Sequence, residues 1–452
     1  LRNSRDTDNA IFEKEGYSAS WHGIKREWES DENSLPSLGR WFCKILDAEK
    51  RLTTANPAEN IPFPTERPRE PIHYLQRNDE LEKELSKLFR KAFGLDLIVH
   101  RNAGTIVPLH VGERPKHSKK YDRVSQRYIE KLEKLPTLQS EGDGMRSFAG
   151  VILASSVGEE SVLLIDEPEA FLHPPQARLL GNIFVDEKPD ARQLFIATHS
   201  TDILQGILDR NSSDVRVLRI NRTGSINKVS ILDNSVLKQL WQVPLLRSSN
   251  IFDGLFHKGV VICEGDSDCR FYSTLLQALC NDVDSESNTA LCPDLHFVHC
   301  GGKARLATVA TALRALDVPV KVVADFDILS SIEPLGKVVE AVGVTWSSIK
   351  SDWKEVKSAI DRNQGKISIH DGRQKLLDVL DSSTDPELYK KVKKCLDELT
   401  RKSDPLKLAK SNGISMVPSG EPRRKCEKLF EIFRKAGLHI VEDGELESFN
   451  TD

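Results

Sequence analysis

The chain has 452 residues, 39% of them hydrophobic and 29% charged, with a formal net charge of −4, which is enough apolar mass for two or three cores. The slight acidity excludes a protein held to nucleic acid by bulk positive charge, so any DNA contact has to come from local basic patches. With no apolar run near the ~18 residues a membrane span needs, and an opening LRNSRDTDNA without an apolar signal core, neither membrane insertion nor export is expected.

Residues 1–93 read as helices broken by the proline-rich connector ENIPFPTERPREPI at 59–72. DELEKELSKLFRKAF predicts a helix over 79–93, with Leu81, Leu85, Phe89 and Phe93 on one stripe and Gly94 ending it. LDLIVHRNAGTIVPLHV, 95–111, predicts two strands around an Asn-Ala-Gly turn. The basic stretch Arg114 to Arg123 is either a solvated loop or a phosphate-backbone contact, and Arg423 to Lys425 is a second candidate. From 138 the pattern is α/β: an apolar helix opened by Ser140, Gly142 and Gly144, the strand VLLID, a helix over QARLLGNIF, and the strand RQLFIATHS. A hairpin over 214–232 and a mixed helical link precede a second βαβαβ run from 258. A charged helical insertion at 345–410, a helix and a short strand close the chain. Cys43, Cys263, Cys269, Cys280, Cys292, Cys300, Cys395 and Cys426 show no CxxC pair and no zinc spacing, which predicts ordinary packing in a reduced cytoplasmic compartment.

Two acidic clusters carry the chemistry. Val162 to Ile165 form an apolar strand that ends in Asp166 and Glu167, the layout in which an aspartate holds magnesium and the next glutamate polarises a water attacking a γ-phosphate. A later strand delivers His199, which can contact the same phosphate, and free N–H groups at the helix start near Ser140, Gly142 and Gly144 suit a phosphate. These pieces resemble ATPase heads of the ABC class, with SEGDG as a divergent signature loop, IDEPEAFLHP as Walker B and THS as the switch histidine. The sequence contains no GxxxxGK[ST] loop, and QGKIS at 364–368 is only a fragment of one. The expectation is that the natural protein carries such a loop upstream of Leu1.

The second cluster ends buried strands in Glu264 and in Asp325 and Asp327. Unpaired carboxylates beside a core are costly, and strand ends of a doubly wound sheet converge on one crevice, so an oxygen-only site for magnesium or manganese is expected. Asp268, Glu445 and Glu447 are candidates for a second ion, and Lys303 for neutralising phosphate charge. Glu-Gly on one strand and Asp-x-Asp on another resemble the Toprim domain.

An ABC-like head followed by a Toprim domain resembles the OLD family of nucleases. The fold that the resemblance implies is α/β: the C-terminal part of an ABC-type ATPase head over 1–235, with a helical part at 1–93, a linker at 236–257, and a Rossmann-like, parallel-sheet Toprim domain over 258–452 with its helical insertion. It further implies an ATP-regulated, metal-dependent DNA endonuclease or nickase of anti-phage defence, using ATP and Mg2+ or Mn2+, with heads pairing into a homo-oligomer and a partner protein of the defence system. A non-catalytic DNA sensor or clamp that recruits a partner effector is the alternative. A primase or topoisomerase would need a nucleophilic tyrosine or template-binding module that the sequence does not present.

Overall fold

The computed structural model describes residues 11–446 except 15–16, 30–38, 40–41, 63–64, 117–121, 159, 188–191, 211, 233–240, 243, 245–249, 282–291 and, apart from scattered positions, 363–409. It divides into two compact units, Leu1–Val215 and Arg216–Asp452. Glu447 and Cys395 lie outside the described residues, as do most of the link expected at 233–257 and most of the insertion.

The first unit opens with a hairpin of β1 (Ile11–Lys14) and β2 (Tyr17–Ser20), followed by α1 (Trp21–Glu29). Strand β3 (Cys43–Leu46) then joins a parallel sheet of order β3-β8-β9 with β8 (Val162–Asp166) and β9 (Gln193–Ala197). These strands correct the purely helical reading of residues 1–93, because a four-residue strand is too short to show alternation. Helices α2 (Ala48–Thr53), α3 (Pro71–Arg77), α4 (Asp79–Phe93), α5 (Gln126–Leu132), α6 (Asp143–Ser156), α7 (Pro174–Asp186) and α8 (Thr201–Asp209) complete the unit. Small antiparallel pairs join β4 (Ala58–Glu59) to β6 (Ile106–Val107) and β5 (Asp96–Val99) to β7 (Leu109–Gly112). Helix α4 has the expected bounds: the Asn78 side chain accepts from Glu80 and Leu81 N–H, Gly94 ends it, and Leu85 and Phe89 are buried in the same core as Phe148, Leu163 and Ile165.

In the second unit, the hairpin β10 (Val217–Thr223) and β11 (Ile226–Leu232) is tied down by Arg219, which donates to the carbonyls of Leu255, His257 and Asp317. A four-stranded parallel sheet of order β13-β12-β14-β15 follows, built from β12 (Gly259–Cys263), β13 (Leu295–His299), β14 (Val320–Ala324) and β15 (Leu438–Ile440). It is accompanied by α9 (Asp266–Asn281), α10 (Leu306–Ala315), α11 (Ile332–Ala341), α12 (Trp346–Arg362) and α13 (Glu421–Ala436). Every residue of β12 is buried, as a central parallel strand requires. Cys280 and Cys292 form a disulfide, which corrects the reading that all the cysteines merely pack. Among the described residues no helix is long and apolar enough to cross a membrane.

Candidate functional site

The parallel order β12-β14 sets two strand ends side by side, with Ile262 in register with Val322. Continuing that register, Glu264 comes level with Ala324 and Asp325 one residue beyond, and the Asp325 N–H donates to Glu264 Oε1 at 3.1 Å. Asp327 follows on a short 3-10 turn, and one oxygen from each of the three carboxylates lies within 4.8 Å of the other two. Burial, with Asp325 as the next cause, pushes Glu264 up to about 7; burial, opposed by Lys410 and reinforced by Asp268 and Asp327, pushes Asp325 up to about 6. Asp327 Oδ1 is buried and has no hydrogen-bond partner among the described residues. An acceptor left unpaired beside two crowded carboxylates is what a divalent cation would satisfy, so these residues fit magnesium or manganese.

Lys303 follows the HCGG turn after β13, and its Nζ lies 2.7 Å from Asp327 Oδ2. The turn is fixed to the site because Gly302 N–H donates to the Glu264 carbonyl. Asp268 lies in the first turn of α9, where one of its oxygens accepts from Gly265 N–H at 2.9 Å. Glu445 is brought to the site by the segment after β15, since Phe326 N–H donates to the Gly444 carbonyl, but its carboxylate is paired at 2.8 Å with Lys410. Sequence reasoning missed Lys410. It is the last residue of the insertion expected at 345–410 and carries no motif of its own.

In the first unit, Asp166 pairs in register with Ala197, and Glu167 N–H donates to the Ala197 carbonyl. That register carries His199 to the Walker B loop, with its Nδ1 3.3 Å from Glu167 and 3.6 Å from Glu169. Glu167 has φ +45°, an unusual conformation for a non-glycine residue and one found where geometry is functionally constrained. Glu169 was not foreseen: it accepts from the Thr198 hydroxyl at 2.7 Å and from His199 N–H at 3.2 Å, which latches the two loops together. Arg51, also unforeseen, is buried on α2, and its Nε and Nη1 have no hydrogen-bond partner among the described residues. Its burial lowers its pKa, while Glu169, Asp166 and Glu167 act to raise it.

Gly142 is the N-cap of α6 and offers no side-chain cap, while Ser140 sits one turn earlier with its hydroxyl on the Thr137 carbonyl. Gly144 is required sterically, because a Cβ there would come within 2.7 Å of the Phe171 carbonyl in the loop after Walker B. In the two basic stretches, Lys116 and Arg424 are exposed and Lys119 and Lys120 lie outside the described residues, whereas four other cations are paired. Arg114 and Arg123 both turn onto buried Glu82, at 2.7 and 2.9 Å, because a buried carboxylate demands counter-charge; Arg423 and Lys425 are engaged by Glu427, Glu421 and Glu355.

Residues 24–205 match an AAA domain family described under "AbiEii toxin, Type IV TA system", and residues 255–327 match the Overcoming lysogenization defect protein-like TOPRIM domain. The chain is an AAA-type ATPase domain followed by an OLD-like Toprim domain, a mixed α/β molecule with parallel sheets. That pair of domains fits the OLD family. Old nuclease of Escherichia phage P2 is 25% identical over 186 residues, covering 40% of this chain and 30% of that protein. An uncharacterized protein of Methanocaldococcus jannaschii is 28% identical over 97 residues, 21% of this chain and 84% of that protein. Two solved structures superpose with a TM-score of 0.26: one from a study of ATP-driven dimerization and DNA-stimulated activation of SMC ATPases, at 11% identity, covering 38% of this chain and 97% of that one. The other is an SmcHead bound to the C-winged helix domain of ScpA, at 10% identity, covering 35% and 44%.

Proposed function

We propose that the chain is part of an ATP-regulated, divalent-metal-dependent DNA endonuclease or nickase. The observation that supports this reading best is the cluster of Glu264, Asp325 and Asp327 around the unpaired Asp327 oxygen. These three carboxylates would hold the ion, which when bound supplies Lewis-acid stabilisation of a phosphate and a water of lowered pKa. Lys303, held by Asp327 at the edge of the cluster, is placed to neutralise charge on a phosphodiester oxygen. Asp166, Glu167 and His199 are proposed as the metal-binding, water-orienting and γ-phosphate-sensing groups of the ATPase domain, with Glu169 positioning the histidine. DNA as substrate, paired heads, a partner protein and a role in anti-phage defence follow from the family resemblance.

Incubating the chain with supercoiled plasmid and Mg2+ or Mn2+ tests the nuclease reading. Nicked or linear product that disappears with EDTA is the expected outcome. Binding without any cleavage would favour the sensor or clamp.

A further inference from the structure

We infer that Arg51 is a positioning residue of the acidic site in the first unit: its guanidinium holds the Glu169 carboxylate, and Glu169 holds the His199 loop. The inference rests on the reading of Asp166, Glu167 and His199 as nucleotide-site groups and deepens it by naming what keeps the histidine in place. Arg51 is 1% exposed, and neither its Nε nor its Nη1 has a hydrogen-bond partner among the described residues. Glu169 carries the complementary need. Its Oε1 accepts from the Thr198 hydroxyl and from His199 N–H, while its Oε2 is buried and likewise without a partner among the described residues. Donors and an acceptor of opposite charge, both shut away from water, are costly apart and offset each other when joined. The charges favour this pairing, since Glu169 acts on Arg51 more strongly than Asp166, Glu167 or Asp47 does. Asp166 and Glu167 are exposed, which leaves them free for ligands while Glu169 faces the guanidinium.

The backbone fixes Arg51 in the core. Asp47 caps α2, its side chain accepting from Lys50 N–H at 2.9 Å and its carbonyl from Arg51 N–H at 3.0 Å. A Cβ on Gly150 of α6 would come within 2.0 Å of the Arg51 carbonyl, so only glycine lets the two helices approach this closely. Just ahead of α6, Gln139 donates to the Ala55 carbonyl at 2.8 Å and ties down the segment after α2. The first turn of α6 also braces the loop that carries Glu169, through the contact of Gly144 with the Phe171 carbonyl. One helix thus supports both the segment of Arg51 and the segment of Glu169, and the guanidinium cannot leave for solvent without parting α2 from α6.

Two measurements on the 452-residue chain test the inference without nucleotide. In protein labelled with 15N-arginine, the Arg51 Nε–H signal, identified by its absence from Arg51→Lys, should move further in Glu169→Gln than in Glu167→Gln. By mass spectrometry, amide exchange across Thr198 to Ser200 should speed up about tenfold or more in Arg51→Met, with exchange in α6 unchanged and most of the protection recovered in Arg51→Lys. An Nε–H signal that Glu169→Gln leaves in place overturns the inference even if Arg51→Met fails to fold. So does a folded Arg51→Met whose His199 loop exchanges as in wild type, or one in which α6 loosens equally, because Arg51 would then serve the core alone. In a form of the protein that turns over ATP, Arg51→Met should lower kcat by about 10–10²-fold at unchanged KM, and an unaltered kcat also overturns the positioning role. Unchanged turnover in Glu167→Gln beside the expected signal and exchange would instead overturn the nucleotide reading and leave the link from Arg51 through Glu169 to His199 standing.

Discussion

Glu264 and Asp325 titrate far above ordinary carboxylates because they are buried beside each other. In metal-free protein the unfolded chain gives up these protons near pH ~4, whereas the folded chain keeps them until about 6 to 7, so the native state binds more protons in that window. Their contribution to stability is therefore fully favourable below the unfolded values and is lost as pH rises through the folded ones. Relative to wild type, EDTA-treated Glu264→Gln should gain in melting temperature as pH rises from about 4 to 7. A gap between the two proteins that does not widen in that direction would contradict the crowding. Glu167→Gln should slow ATP hydrolysis by about 10²–10⁴-fold in any form of the protein that turns over ATP, while leaving nucleotide binding intact; unchanged turnover would remove Glu167 from that role. The acids were legible in the sequence because carboxylates that end apolar strands are costly and need a reason. Glu169, Arg51 and Lys410 were not, since their importance lies in partners such as Thr198, the Walker B acids and Glu445, which only the fold brings near.

At the scale of elements, the strongly periodic segments were readable: α4, the hairpin β10–β11, and the alternation from β12 to β14. Strand β3 was not, being four residues long, and neither was the turn of Arg114 and Arg123 onto Glu82, because sequence cannot show that this carboxylate is buried. Arg114→Gln should accordingly cost on the order of 2 kcal/mol of stability and leave DNA affinity unchanged, because it strips a partner from a buried carboxylate. Thermal melts beside a DNA-binding titration would check this, and a weakened affinity at unchanged stability would restore the phosphate-contact reading. Helices α7 and α8 cross at two glycines, where a Cβ on Gly206 would sit 2.1 Å from the Arg178 carbonyl and one on Gly181 2.3 Å from the Ile203 carbonyl. Gly206→Ala should destabilise the first unit by about 1–3 kcal/mol or more, read as an earlier midpoint in denaturant. A midpoint unchanged from wild type would show that the helices can part at little cost.

For the whole molecule, the chain joins two acidic sites of different construction. In the first unit, His199, Glu167 and Glu169 form a linked set at the ends of β8 and β9; in the second, the carboxylates gather at the carboxyl ends of the central strands β12 and β14, with Lys303 beside them. The order of the two domains was legible because each strand-end motif is local in sequence. The compact units part at Val215 and Arg216, and the hairpin joins the second through Arg219, an attachment that strand periodicity could not reveal. The central claim is that the second unit cuts phosphodiesters with a metal held by Glu264, Asp325 and Asp327. Plasmid cleavage with Mg2+ or Mn2+ by Asp325→Ala and Asp327→Ala proteins, compared with wild type at matched melting temperature, tests it most directly. A loss of more than about a hundredfold in both variants, with DNA binding retained, is the predicted result; full cleavage by either variant would contradict it.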